Sequence, residues 1–434
     1  MHSQVGQLLD WLYSNDPLRR PEVDRKLRFL LLDTIGCMLA GRCAPEVAAF
    51  EAKLAVVEPG RFRFPNGDGL SASSAALLGA TAACWDEACE GLASAHGRPG
   101  VAAIAAALPL LQDATLEDAL RSIATGYEVG ARMGAALRIR SGMHVDANWP
   151  ALGAAAAAAR AHGLEPATAE AAVNIAACQL PYSLYLPIRV GATARNTYLG
   201  HAASLGVQAA LAAAAGISAP TDAHVDYAKH ALGLENLALA PPGEYLSLAA
   251  YLKPYAAVRH VHYGAAAAEA LRGDIGGDAA IRRIERIILH IYEEAVIYCG
   301  NRAPQSAIQA QFSLSFGIAA MLRFGSLGPE VYRGERFRDP ELRRLEALVE
   351  IEIDPGSIMQ QREARVEIFS ASHKWTKAVT SVKGDPNEPF TTEDCCDKFV
   401  RYAAPTFGST GAAAFARRLL EADAMLPFAE VLRA

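Results

Sequence analysis

The stretch WPALGAAAAAARAHGL, residues 149–164, constrains the fold most. Alanine is the best helix former, so the run reads as a helix. It has almost no side chain to bury, so it is stabilised only where neighbouring backbones come very close. That requirement points to a tight helical bundle. Gly163 stands where a helix C-cap is expected. The segments 23–41 (VDRKLRFLLLDTIGCMLAG, ending at Gly41) and 116–137 (LEDALRSIATGYEVGARMGAAL) carry apolar residues at helical spacing. The run 199–217 is the most apolar, but His201, Ser204 and Gln208 interrupt it. It reads as a packed core helix rather than a membrane span.

The texture changes after Tyr251–Pro254. IRRIERIILHIY (281–292), LVEIEID (348–354) and ARVEIFSA (364–371) alternate in the manner of half-buried strands. SAIQAQFSLSFGIAAMLRFG (306–325) carries a helical pattern, and the tail is helical again. The expected fold is mainly α: a large all-helical domain of residues 1–252 and 392–434, with a smaller α+β domain over 253–391. A chain of 434 residues suits two domains.

Composition removes several classes of function. The chain is 52% hydrophobic and 20% charged with net charge −6, so it is globular. It has no basic run to attract nucleic acid or an anionic membrane. The N-terminus lacks the apolar region of a signal peptide. The eight cysteines form no CxxC pair and read as reduced thiols, which suits a cytoplasmic location. No dinucleotide, P-loop, HExxH or GxSxG signature is present, and His260-x-His262 lacks an evident third metal ligand. The expectation is an enzyme that works with side chains alone, without cofactor or metal.

Polar residues crowd four otherwise apolar places: CWDEACEGLASAHGRPG (84–100), SGMHVDANW (141–149), PIRVGATARNTYLGH (187–201) and YLKPYAAVRHVHYG (251–264). Each candidate has an ordinary structural reading. Asp86 can be a helix cap, His144 a core imidazole, Arg195 half of a buried ion pair, and Lys253 a solvated loop lysine. Tyr298 and Arg302 in YCGNRAP (298–304) are equally ambiguous. Taken together, cations, imidazoles and a carboxylate suit a small polyanion. Arginine grips carboxylates bidentately, lysine supplies a point charge, and histidine moves protons near neutrality. An imidazole just before a helix, as at His144, is expected to be neutral. Asp86, Glu90 and His96 are expected to face a wet cleft, with Glu87 outward or paired.

Seven blocks in order resemble the MmgE/PrpD family: LLDTIGCMLAG, GATAACWDE…HGRPG, TGYEVGARMGAAL, GMHVDANWPALGAAAAAARAHGL, ARNTYLGHAASLG, LKPYAAVRHVH and QAQFSLSF. The resemblance spans nearly the whole chain. It implies a helical domain with an α+β lid, a homodimer, and a cofactor-free site between the domains. It implies catalytic roles for Asp86, His96, His144 and Lys253. Substrate contacts fall to Glu90, Arg195, Arg259, His262, Tyr298 and Arg302. The family's DFDDT segment has become Asp86-Glu87-Ala88-Cys89-Glu90, its usual lysine is Arg195, and a usual histidine is Ala83.

The implied chemistry is removal of a proton beside a carboxylate. Arg195, Lys253 and Arg259 would stabilise the enediolate-like state. His144 or Asp86 would take the proton, and His96 or Lys253 would return one or protonate a leaving hydroxyl. The expected activity is a lyase of the dehydratase type on a small di- or tricarboxylate other than 2-methylcitrate. Epimerisation or decarboxylation would need nearly the same residues. A carboxylate-binding protein without turnover is the rival from another class, but a binder needs no base.

Overall fold

The computed structural model describes residues 3–358 and 362–433. Its centre is the alanine-rich helix Pro150–Ala161, whose residues from Pro150 to Ala159 are all buried. It packs against Leu116–Ala136, Tyr198–Ala214, Pro99–Ala107 and Pro166–Ala177. The packing is as close as the composition demands. A Cβ on Gly126 would sit 2.7 Å from the carbonyl oxygen of Gly153 on the facing helix. Gly163 has φ +74° just past the helix end, as a C-terminal glycine should.

Gly41 has a different reason from the one expected. The helix runs through it, Pro21–Arg42, and a Cβ there would lie 1.9 Å from the carbonyl oxygen of Ala82. Gly41 therefore marks a contact with the helix Ala72–Trp85, not a terminus. The long helix Thr392–Glu421 opens with a capping box, Thr391 with Asp394. It kinks at Gly408 (φ +68°) and packs along Pro21–Arg42, so the end of the chain rejoins its beginning.

The remaining layer is a four-stranded sheet in the order Val349–Ile353, Ile284–Ile291, Ala364–Ser370, Lys374–Val379. The first pair is parallel and the others antiparallel. Lys374–Val379 carries no sequence signal because its residues are mostly exposed. The helical pattern over 306–325 forms two helices, Ala307–Gln311 and Leu314–Phe324. Ser313 separates them by accepting the N–H of Phe316 as an N-cap. Helix Arg259–Ile275 covers the last two strands and packs on Leu314–Phe324. Among the described residues no helix is long and apolar enough to cross a membrane. The cysteines are free thiols, and Cys43 and Cys178 are exposed rather than buried.

Candidate active site

The segment 84–100 is an irregular excursion between two helices. Ala72–Trp85 ends at Asp86, and Pro99–Ala107 begins with its proline at the first position. Gly91 pairs with Tyr251 through both backbone bonds, 3.1 and 2.9 Å, which brings residues 251–254 against the excursion. Two non-glycine residues here hold left-handed backbone, Glu87 (φ +53°) and His96 (φ +53°). Such strain persists only where the surroundings enforce it, and it concentrates at functional sites. Both side chains line one cleft of about 570 Å³.

Glu87 organises the cleft floor. Its Oε2 accepts from Arg98 at 3.0 Å and Arg195 at 2.5 Å, and its Oε1 accepts from Lys253 Nζ at 2.8 Å. Lys253 also donates to the Glu87 carbonyl oxygen at 2.9 Å. Arg98 reaches on to Asp146, and Arg195 lies 3.5 Å from the same carboxylate. Burial alone would push the Glu87 carboxyl up. Arg195, Arg98 and Lys253 together hold it well below the usual range. Three buried cations, Arg98, Arg195 and Lys253, meet two buried carboxylates, and the buried Cys89 thiol lies 3.6 Å from Arg98.

Aromatic rings form one wall. His144 stacks on Tyr185 (6.0 Å between centroids), Tyr185 meets Tyr298 (5.5 Å), and Tyr298 stacks on His260 (6.0 Å). His144 Nδ1 accepts the Asp146 backbone N–H at 3.2 Å. The His144 pKa falls to about 4, first through burial and then through Arg195 and Arg98, with Asp146 opposing. The ring is neutral as expected. Its largest cause is burial, since His144 lies in the short strand Met143–His144 and not in the first turn of Pro150–Ala161. Arg138, Arg140, Arg189 and Arg362 also line the cleft.

Of the residues expected from sequence, His96, His144, Lys253, Arg195, Arg259 and Tyr298 line the cleft. Arg259 is already committed: it pairs with Asp385 and lies over Tyr251 and Tyr263, 4.8 and 5.3 Å from their centroids. Asp86, Glu90, His262 and Arg302 do not line it, which corrects their expected placement. Asp86 stays on the helix side of the Glu87 turn, and Arg333 grips both its oxygens at 2.9 and 2.8 Å. Glu90 accepts the Gly100 N–H at 2.8 Å in the first turn of Pro99–Ala107, and Tyr127 Oη at 3.3 Å. Burial, with Cys89 nearby, lifts its pKa to about 8, so it is a buried neutral acid. His262 faces inward, 3.1 Å from Arg259 and 2.9 Å from the Ala257 carbonyl, and braces that arginine. Arg302 is exposed in a separate recess with Arg338 and Arg343, and donates to the Ala347 carbonyl.

Glu87 was expected to be outward or paired. It is paired, and it points inward. Arg98, Asp146, Tyr185 and His260 complete the site without having been assigned to it from sequence. For Arg98 and Asp146 the signal was the charge balance of the crowded segments, where the second acid and the arginine before Pro99 needed partners. Among the described residues no group of three or more His, Cys, Asp or Glu side chains is placed to hold a metal ion.

Fold and cleft define a two-part, mainly helical protein with a buried cationic site. Two family models match it in chain order: the MmgE/PrpD N-terminal domain over residues 11–227 and the MmgE/PrpD C-terminal domain over 255–422. The chain belongs to the MmgE/PrpD family, which generally contains enzymes such as dehydratases and epimerases. No curated protein matches the chain.

Proposed function

We propose that the protein is a cofactor-independent lyase of the dehydratase type, acting on a small di- or tricarboxylate by proton removal beside a carboxylate. The observation that carries this reading is the cationic lining of the cleft: Arg98, Arg195 and Lys253 on its floor, with Arg138, Arg140 and Arg189 beside them. A fixed floor of buried cations stabilises an enediolate-like state more than it stabilises the substrate. The unit 253–391 supplies Lys253, His260 and Tyr298, and the helical body supplies Glu87, His96, Arg98, His144 and Arg195.

Lys253 spends two of its three N–H bonds on Glu87, which leaves one for a substrate oxygen. The lining arginines Arg138, Arg140 and Arg189 are exposed and have no carboxylate partner among the described residues, so they suit a second or third carboxylate. The His96 side chain has no hydrogen-bond partner among the described residues. Burial, with Arg138 and Arg362, lowers its pKa from the ordinary imidazole value, so it is neutral at pH 7. A neutral, unpartnered imidazole facing the cleft is the group free to accept a proton.

The test is proton NMR in D2O with 2-methylcitrate, citrate, cis-aconitate, tartrate, malate and iminodisuccinate. Vinyl signals from a hydroxy acid support the dehydratase. Deuterium at Cα with the skeleton retained moves the assignment to an epimerase, and loss of a carbon moves it to a decarboxylase. Binding of these compounds without exchange or product in any of them overturns the enzyme assignment.

A further inference from the structure

The mechanism above leaves two imidazoles of the cleft without a role, and the hydrogen bonds fix what each presents. His144 Nδ1 accepts the Asp146 backbone N–H at 3.2 Å. An amide N–H can only donate, so in the neutral ring Nδ1 holds the lone pair and Nε2 holds the hydrogen. His260 stands at the second position of helix Arg259–Ile275, with Nδ1 2.6 Å from Tyr292 Oη. Tyr292 is 1% exposed, and its hydroxyl has no other acceptor among the described residues. Were His260 to donate here, the buried Tyr292 hydroxyl hydrogen would have no partner, at a cost of about 1–3 kcal/mol. Tyr292 therefore donates, and His260 also carries its hydrogen on Nε2. Neither Nε2 meets a protein partner among the described residues, and both rings line the cleft. They end one continuous run of rings, His144–Tyr185–Tyr298–His260.

We propose that His144 and His260 are a pair of tautomer-locked Nε2–H donors that bind the carboxylate oxygens of the substrate as they gain charge. This rests on the reading above, in which His96 accepts the proton, and gives His144 and His260 the donor role. Both rings stay uncharged at neutral pH: burial, with nearby cations, takes His144 down to about 4 and His260 to about 3. An uncharged imidazole still donates a directed hydrogen bond to an oxyanion, as preorganised neutral donors do in other enzymes. No bond to carbon is made or broken by either ring. The proton leaves substrate carbon for His96, and the negative charge gathers on the oxygens facing the two N–H groups.

The first test is free of any substrate. The whole protein labelled with ¹⁵N-histidine is read by long-range ¹H–¹⁵N NMR at pH 7, with His144→Gln and His260→Gln assigning the signals. Both rings are expected as neutral Nε2–H tautomers, and Tyr292→Phe should release only the His260 pattern. An Nδ1–H tautomer or an imidazolium at either position overturns the proposal. The second test uses whichever panel compound the parent turns over. Glutamine keeps an N–H donor but is no base, so His144→Gln and His260→Gln should fall by about 10-fold or less. The alanine variants should fall by roughly 100-fold or more. Glutamine variants as inactive as alanine overturn the donor role. If the parent turns over nothing, the substrate reading above fails, while the NMR result still decides the tautomers.

Discussion

Lys253 Nζ bonds the side chain and the backbone of the same residue, Glu87, at 2.8 and 2.9 Å. The contact joins the excursion after helix Ala72–Trp85 to the crossing at 251–254, and both partners are buried. Removing one member of such a cluster leaves the others uncompensated, which typically costs 3–5 kcal/mol. Glu87→Gln, which leaves three cations facing one carboxylate, should destabilise by about 3 kcal/mol or more in urea unfolding. Lys253→Met should cost less, because Arg98 and Arg195 still serve Glu87, and it should lower turnover by roughly 100-fold. The double variant should be more stable than the two losses added together predict, by about 1–3 kcal/mol. Strict additivity would show that the contact is not an energetic unit.

His144 gives the protein a pH dependence with a defined sign. Its pKa falls from the ordinary 6.5 to about 4 on folding, chiefly through burial, with Arg195 and Arg98 adding and Asp146 opposing. The folded state therefore favours the neutral ring. The stability this contributes is full above pH 6.5 and is lost as pH falls toward 4. His144→Asn keeps an acceptor for the Asp146 N–H but does not titrate. Urea unfolding at pH 7.5 and 4.5 should show the parent losing about 2 kcal/mol more than the variant over that interval. Parallel losses would mean that the imidazole is not desolvated in solution.

Much of the fold was legible because periodicity and small residues leave few packings open. The alanines of 149–164 pointed to a close bundle, and three of the four strands alternate clearly. Lys374–Val379 was missed because an exposed edge strand has no apolar face to announce it. At the site, residue types were easier to read than directions. His96, His144, Arg195 and Lys253 line the cleft, but Asp86 and Glu87 exchanged places. That exchange depends on one left-handed residue, Glu87, and a glutamate at φ +53° is not what local propensity favours. Glu90 looked like a site acid and is a buried cap, because the N–H it satisfies belongs to a helix ten residues on.

Glu90 should produce the opposite pH dependence. Its carboxyl is lifted from 4.5 to about 8, first by burial and then by Cys89. The folded state keeps a proton that the unfolded chain releases, so this contribution is full below pH 4.5 and is lost as pH rises through 8. Glu90→Gln retains an acceptor for Gly100 and cannot ionise. Thermal unfolding should show the variant near or below the parent at pH 5 and above it by several degrees at pH 8.5. A difference that stays constant with pH would show that Glu90 is ionised in the native protein.

Gly41 tests the packing argument independently of the chemistry. The atom that an added Cβ would meet is the main-chain oxygen of Ala82, at 1.9 Å, and not a side chain that could rotate away. Gly41→Ala must therefore push helix Pro21–Arg42 away from helix Ala72–Trp85, although alanine has the better helix propensity by about 1 kcal/mol. Overpacking of this kind usually costs about 1–3 kcal/mol, and a backbone contact belongs at the upper end. Because Ala72–Trp85 leads directly into Asp86 and Glu87, the strain should also reach the cleft. Gly41→Ala should lower the midpoint of urea unfolding and reduce turnover, whereas Gly216→Ala, strained at φ +84° with nothing within 4 Å of its added Cβ, should lower stability alone. Equal activity in the two variants would show that the helix crossing does not position Glu87.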